Sequence, residues 1–414
     1  MATDRSQRSK RLLDWLIYLP DRFARITNGK DYIRQIDGLR FLAIIPVLFY
    51  HSGLRGERIY GPLNGAEQSL SYWLPKGGIG VSLFFFISGY IIAYPFLSGR
   101  TPSLRKFYVR RLTRLEPPYL LVMLGCFMVL ALGFVPADAP NFHATQAPLW
   151  QSFLASVFYM HSFVFGEHPR LNPPTWSLER EIQFYLIAPF ILWAYLRCAN
   201  RNLRLVIGGV LTIALTVLGQ LIIHGLDEGN PWRHSLFVEA QGFILGVVLC
   251  DYSVKALPFE QLKTSAWDLG FALGLAGLLA SGCIDYYDKT LLGDIANALL
   301  RVSSVGLLFF GAAYGRLAYA FMGQRWVALI GGACYSIYLV HVPLMQGVSA
   351  VMRRVFVFDS LGQAWAVSFA VMIPAALIVG LVFYVLIERP CMDPRWPQKL
   401  WNGIRGKPAP EPRA

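Results

Sequence analysis

Apolar stretches of bilayer-crossing length recur along this 414-residue chain, at 36–53, 77–97, 117–135, 178–196, 204–224, 235–251, 267–283, 292–314, 326–349 and 363–387. A helix needs about 20 predominantly apolar residues to cross the hydrocarbon layer. In lipid the backbone must satisfy its own N–H and C=O groups, so segments of this kind fold as helices. The chain is 55% hydrophobic and 15% charged, whereas soluble domains are about a quarter charged. These features predict an all-α polytopic membrane protein with about ten transmembrane helices in a single bundle. They divide the chain into a basic, amphipathic segment over 1–35, a transmembrane domain over 36–388 and a tail over 389–414. The stretches at 36–53, 235–251 and 267–283 are short, and 153–165 is apolar but too short to span.

Net charge is +13, and its distribution says more than its size, because cytoplasmic loops collect Lys and Arg. With ten crossings and the N-terminus inside, 27 Lys and Arg fall on the cytoplasmic side and 8 on the other. This predicts cytoplasmic termini, a cytoplasmic Arg110 loop and an outer loop around His143. It also explains the basic balance without a nucleic-acid partner. LLDWLIYLP, near the N-terminus, is interrupted by Asp14 and followed by no cleavage site, so an interfacial helix is expected there and not a signal peptide. The six cysteines are dispersed, with neither metal-ligand nor disulfide spacing, and no metal is expected. The terminal KPAPEPRA reads as a disordered tail.

Charges inside the apolar stretches need an explanation, since an ionisable side chain at membrane depth costs about 2.5 kcal/mol or more on insertion scales. The first stretch carries Asp37, Arg40 and His51. Eleven helical steps from Arg40 to His51 give about 16 Å of rise and return to nearly the same direction, so the two share a face. Asp37 lies three residues before Arg40, within pairing distance on a helix, and too far along it to reach His51. Capping by Asp37, snorkelling by Arg40 and a helix-end position for His51 form the plainer reading.

In the second stretch, Gly77, Gly78 and Gly80 allow close helix packing, and Ser88 stands in a Ser-Gly pair as a candidate substrate contact. Arg110, Arg111 and Arg114 follow, just ahead of the third stretch; they suit planar recognition of phosphate and equally suit positive-inside anchoring. The long loop over 135–175 contains His143, His161 and His168 and ends in NPPTWSLEREIQFYL. A helix begins there near Trp176, with Glu181 as the candidate partner of His51. Tyr338 and His341 share a helical face within GGACYSIYLVHVPLM. Residues 200–325 read as scaffold.

Taken together, these motifs resemble the acyltransferase 3 family of integral-membrane acyltransferases, over Ile36 to about Glu388. The most specific is Arg, ten residues, His, met by Arg40 and His51. The GG, FF, SG pattern, RRLTRLEPPY, PPTWSL and QFY, and YSIYLVHVP follow in family order. Where the family has a second acidic residue this chain has Ile182, so Glu181 alone matches. The chain looks like the stand-alone form, without the esterase-like domain of many relatives.

The resemblance implies transfer of an acyl group, with a lean to acetyl, from cytosolic acyl-CoA to a hydroxyl of a carbohydrate or glycolipid such as lipopolysaccharide, in the bacterial cytoplasmic membrane. On that view His51 is the general base, oriented by Glu181, because a carboxylate-held imidazole is the usual way to take a hydroxyl proton. Arg40, Arg110, Arg111 and Arg114 would meet the CoA phosphates, with Asp37, Ser88, Trp176, Tyr338 and His341 in support. No permanently bound cofactor is expected. A transporter or flippase of glycan precursors is the alternative, since intramembrane Arg, Glu and His also serve substrate and proton pathways, although the repeat symmetry common in transporters is absent from the sequence. A non-catalytic partner of a glycan synthase is a third reading.

Overall fold

A computed structural model of the chain describes residues 18–26, 33–135, 147–254, 263–284, 290–393 and 395–404. His143, most of the LLDWLIYLP run and the KPAPEPRA tail lie outside the described residues.

Each of the ten stretches contains a long helix: α1 (Arg34–Tyr60), α2 (Gly78–Leu97), α3 (Leu104–Ala131), α4 (Trp176–Leu196), α5 (Arg201–Gly225), α6 (Ala240–Val254), α7 (Ser265–Ile284), α8 (Leu291–Tyr314), α9 (Cys334–Val355) and α10 (Leu361–Phe383). No strand occurs among the described residues. Seven of these helices are long and apolar enough to cross a membrane. The three that fall short are α1 and α4, which carry buried charges, and α6, which has 15 residues.

Side-chain caps set several of the starts. Ser103 accepts from Lys106 N–H, Asn200 from Leu203, Thr290 from Gly293 and Ser360 from Gln363.

Three boundaries differ from the sequence expectation. The first helix does not stop at Gly53 but runs to Tyr60, because Gly53 packs mid-helix against Leu74 and Phe369. The third begins at Leu104, so Arg110, Arg111 and Arg114 lie within its first three turns. The stretch at 326–349 is two helices, Arg325–Gly332 and α9, broken at Ala333. The apolar run at 153–165 forms parts of two short helices, Leu149–Val157 and His161–Phe165.

α1 packs against α2, α9, α10 and the Arg325–Gly332 helix. Gly80 brings α2 onto α1, since a methyl there would overlap the Ala43 carbonyl oxygen. Gly89 and Gly246 do the same between α2 and α6, against the carbonyl oxygens of Phe243 and Phe86. One apolar core gathers Phe85, Phe86, Phe184, Phe243 and Phe309; a second gathers Ile44, Tyr119, Ile337 and Tyr384. The outward faces are apolar too, with Val206, Val210 and Ile213 of α5 more than half exposed, as expected of a surface that meets lipid. Arg204 reaches Asp251 with two hydrogen bonds of 2.7 and 2.8 Å, tying α5 to α6.

Candidate active site

The site begins at the N-terminal end of α1. Asp37, buried, pairs with Arg40 one turn later, as the i, i+3 spacing predicts, and also accepts from Arg25 at 3.0 Å. A carboxylate between two guanidinium groups holds Arg40 in place while leaving part of its hydrogen-bonding fork available.

The α3 arginines are held in three different ways. Arg114 meets the fully buried Glu388 at 3.3 Å, and Glu388 also accepts from the Ser336 backbone N–H and hydroxyl at 3.2 and 2.7 Å. Arg111 lies over Phe107 at 4.0 Å and Tyr185 at 5.1 Å. Arg110 is exposed and forms no ion pair among the described residues. Two adjoining cavities, of about 440 and 780 Å³, share Arg25, Arg40, Arg110 and Arg111 in their walls. The larger opens among Arg100, Lys106 and Tyr94; the smaller runs deeper, to Phe84, Ser88, Ser177 and Tyr338, and takes in Arg114.

Glu181 lines the deeper cavity. It accepts hydrogen bonds from Ser88 and Tyr185, with the Arg111 and Arg114 charges in electrostatic reach. One turn earlier on α4, Ser177 meets the Tyr338 hydroxyl at 2.7 Å, and Tyr338 donates to the Pro174 carbonyl at 2.6 Å. Trp176 is set apart from these contacts, packed edge-on to Phe85 and under the Arg180 guanidinium.

Beyond Tyr338 come the histidines. The fully buried His341 has its ring 5.4 Å from Tyr338 and 5.1 Å from His51. Its Nδ1 lies 2.6 Å from the Tyr338 carbonyl. A carbonyl only accepts, so Nδ1 carries the hydrogen, and Nε2, without a partner among the described residues, presents a bare lone pair. His51 is half-buried, beside Tyr50, and the buried Arg55 stands one turn further along α1, its charge in reach of both imidazoles.

The structure brings together Arg40, Asp37, Arg110, Arg111, Arg114, Ser88, Glu181 and Tyr338 around one pair of cavities, and His51 with His341 next to it. It does not bring Glu181 to His51. Glu181 is occupied by Ser88 and Tyr185, because α4 turns that residue toward α2 and α3 and not toward α1. The expected His51–Glu181 pair is therefore replaced by a His51–His341 pair. Arg25, Arg55, Tyr185 and Glu388 also belong to the site. Of these, only Arg55 carried a sequence signal, four residues after His51, and it was hidden by the early stop expected at Gly53.

Of the described loop histidines, His161 is buried and accepts from the Arg170 N–H at 3.4 Å, while the exposed His168 lies 5.9 Å from the Trp176 ring and edge-on to His234 at 6.1 Å. Glu179 accepts from the backbone N–H groups of His161 and Ser162 at 3.0 and 2.9 Å, anchoring this loop to α4.

A family model described as an acyltransferase domain, acyltransferase 3, matches residues 33–385. The chain is 28% identical over 353 residues to the peptidoglycan O-acetyltransferase OatA of Listeria monocytogenes, covering 78% of this chain and 51% of that protein. It is 27% identical over 386 residues to the O-acetyltransferase OatA of Staphylococcus aureus, covering 87% and 57%. It is 25% identical over 375 residues to a putative membrane-bound transacylase, BcsY, of Komagataeibacter xylinus, covering 88% and 84%. The chain thus spans about half the length of the OatA proteins. No solved structure matches it. With the Arg40 and His51 helix, the α3 arginines and the Tyr338 and His341 helix all inside the matched residues, the chain belongs to the acyltransferase 3 family.

Proposed function

We propose that this protein is an integral-membrane O-acyltransferase that moves an acyl group, acetyl in the simplest case, from cytosolic acyl-CoA to a hydroxyl of a carbohydrate or glycolipid. The observation that carries this reading is the order of groups along the bundle. An arginine-lined double cavity at one end leads past Glu181 and Tyr338 toward two neighbouring histidines. The relatives named as O-acetyltransferases support it.

Arg40, Arg110 and Arg111 face the wider cavity and suit the phosphates of a CoA head group, since guanidinium forks match phosphate oxygens. The narrower cavity suits the pantetheine arm. It ends at Tyr338, whose ring lies 5.4 Å from that of His341, one turn further along α9. The acceptor hydroxyl attacks the acyl carbonyl carbon, the carbon–sulfur bond breaks, and the hydroxyl proton passes to an imidazole. His51, half-buried and beside the lone pair of His341, is that base. Glu181 then acts on the donor side, keeping Ser88 and Tyr185 in place between the arginines.

The excess of Lys and Arg on one side supports an orientation with the arginine end and both termini in the cytoplasm and the His51 end outside, in a bacterial cytoplasmic membrane. The test is CoA release by the purified protein in nanodiscs given acetyl-CoA and glycan fragments. Acceptor-dependent release with an acetylated glycan product is expected. No release with any acceptor, alongside movement of a glycolipid across proteoliposomes, would favour the flippase reading instead.

A further inference from the structure

The region that reads as scaffold in the sequence encloses a third cavity, of about 590 Å³, at the end of the bundle where α2 begins. Its walls come from α2, α5, α6 and α8 and the turn before α6. The volume lies in the range of small-molecule sites, and the lining is polar for a place among apolar helices. Gln220, Gln241, Asn297 and Ser82 face it, with Arg233 and Arg301 at its sides. The acids in its walls are engaged: Asp294 meets His224 at 2.6 Å, and Glu239 meets Arg180 at 3.4 Å.

Gln241 is the telling residue. It is 8% exposed, and its carboxamide oxygen has no hydrogen-bond partner among the described residues. A buried amide without a partner costs about 1–3 kcal/mol on mutational scales, so the position demands a ligand or water. The amide group offers both a donor and an acceptor, and so does a hydroxyl; a phosphate or carboxylate offers acceptors only.

This cavity is separate from the donor cavities yet adjoins them. Ser82 faces it, and Phe85, one turn along α2, faces the deeper donor cavity. Gly242, in the wall of the third cavity, packs so closely on Phe85 that a methyl there would come within 3.1 Å of the Phe85 Cβ. The rim also approaches His51. Lys76 lines the cavity, Gly77 beside it packs so closely on Tyr50 that a methyl there would come within 3.1 Å of the ring, and the Tyr50 ring lies 5.2 Å from that of His51.

We infer that this cavity binds a polyhydroxylated sugar unit of the acceptor, next to the unit that is acylated, through the carboxamides of Gln220 and Gln241. The inference rests on the acyltransferase reading, in which the acceptor is a carbohydrate. A cavity holding water alone is the competing outcome.

The experiment replaces Gln220 and Gln241 together by Leu. Leucine in an apolar bundle removes the unpartnered amides without a cavity, so the variant folds and its melting temperature stays level or rises; Gln241→Glu serves as a second variant that keeps a polar group. In the acetyl transfer assay, the acceptor KM should rise at least tenfold for oligosaccharide acceptors, with the acetyl-CoA KM unchanged. A single-sugar acceptor, which has no second unit to place, should lose less than twofold. Unchanged KM values for the oligosaccharide in the Leu variant would overturn the inference and leave a water-filled vestibule. Absence of transfer by the wild type with every acceptor would instead overturn the acyltransferase reading itself. To read the cavity without turnover, saturation-transfer NMR with cellobiose and with di-N-acetylchitobiose should show contact with the wild type and none with the Leu variant. Contact with neither disaccharide, or equal contact with both proteins, would count against the inference.

Discussion

Replacing Arg111 by Lys separates phosphate recognition from membrane anchoring. Lysine keeps the positive charge that topology needs and loses the planar fork. Arg111 lines both arginine-walled cavities and is fixed by stacking over Phe107 at 4.0 Å and Tyr185 at 5.1 Å. A charge-assisted hydrogen bond that lysine cannot reproduce is worth about 1.5 kcal/mol, and the lost stacking about 0.5 kcal/mol more. Together these give about 2 kcal/mol, or about 30-fold in affinity at 1.4 kcal/mol per decade. Calorimetric titration of acetyl-CoA into the detergent-purified variant should show that weakening, with the thermal midpoint within a few degrees of wild type. Binding within twofold of wild type would return Arg111 to a purely topological role.

Other outcomes follow from the same geometry. Glu388→Gln should destabilise the bundle by about 3 kcal/mol, because it leaves Arg114 without its buried partner; thermal unfolding in nanodiscs measures this, and an unchanged midpoint would show the pair to be dispensable. Arg204→Ala should cost a similar amount, since it strands buried Asp251, without changing the acetyl-CoA KM. Burial holds His161, in the loop ahead of α4, down to about 4 from an ordinary 6.5. The folded loop thus binds fewer protons than the unfolded chain between about pH 6.5 and 4, and its stability falls as pH drops through that window. Hydrogen exchange at 160–172 should rise over that range in wild type and much less in a His161→Phe variant.

The local part of the site was legible from spacing. Asp37 and Arg40 are one turn apart, so their pairing needs only a helix, and the structure shows it. The arginines on α3 share a face for the same reason. What spacing could not supply was the rotation of each helix in the bundle. In a soluble helix the apolar stripe marks the buried face; here lipid-facing Val206 and buried Leu192 are both apolar, and the pattern does not say which way a charge points. Glu181 therefore seemed free to meet His51, whereas α4 turns it to Ser88 and Tyr185. Pairs distant in sequence were hidden likewise: Arg114 with Glu388, Arg204 with Asp251, and His51 with His341. The polar lining of the third cavity is spread over five segments, each of which carries one to three polar residues among apolar ones. Read singly, those segments look like scaffold.

In the proposed reaction His51 takes the acceptor proton while the donor is held elsewhere, by the arginine cavities. Single-turnover acetyl transfer by His51→Ala, measured beside acetyl-CoA binding to the same preparation, separates the two roles. Binding should stay within about twofold of wild type while the rate falls by about 10²–10⁴-fold, the usual contribution of a positioned base. Transfer by His51→Ala at the wild-type rate, or a loss of acetyl-CoA binding as large as the loss of rate, would contradict it.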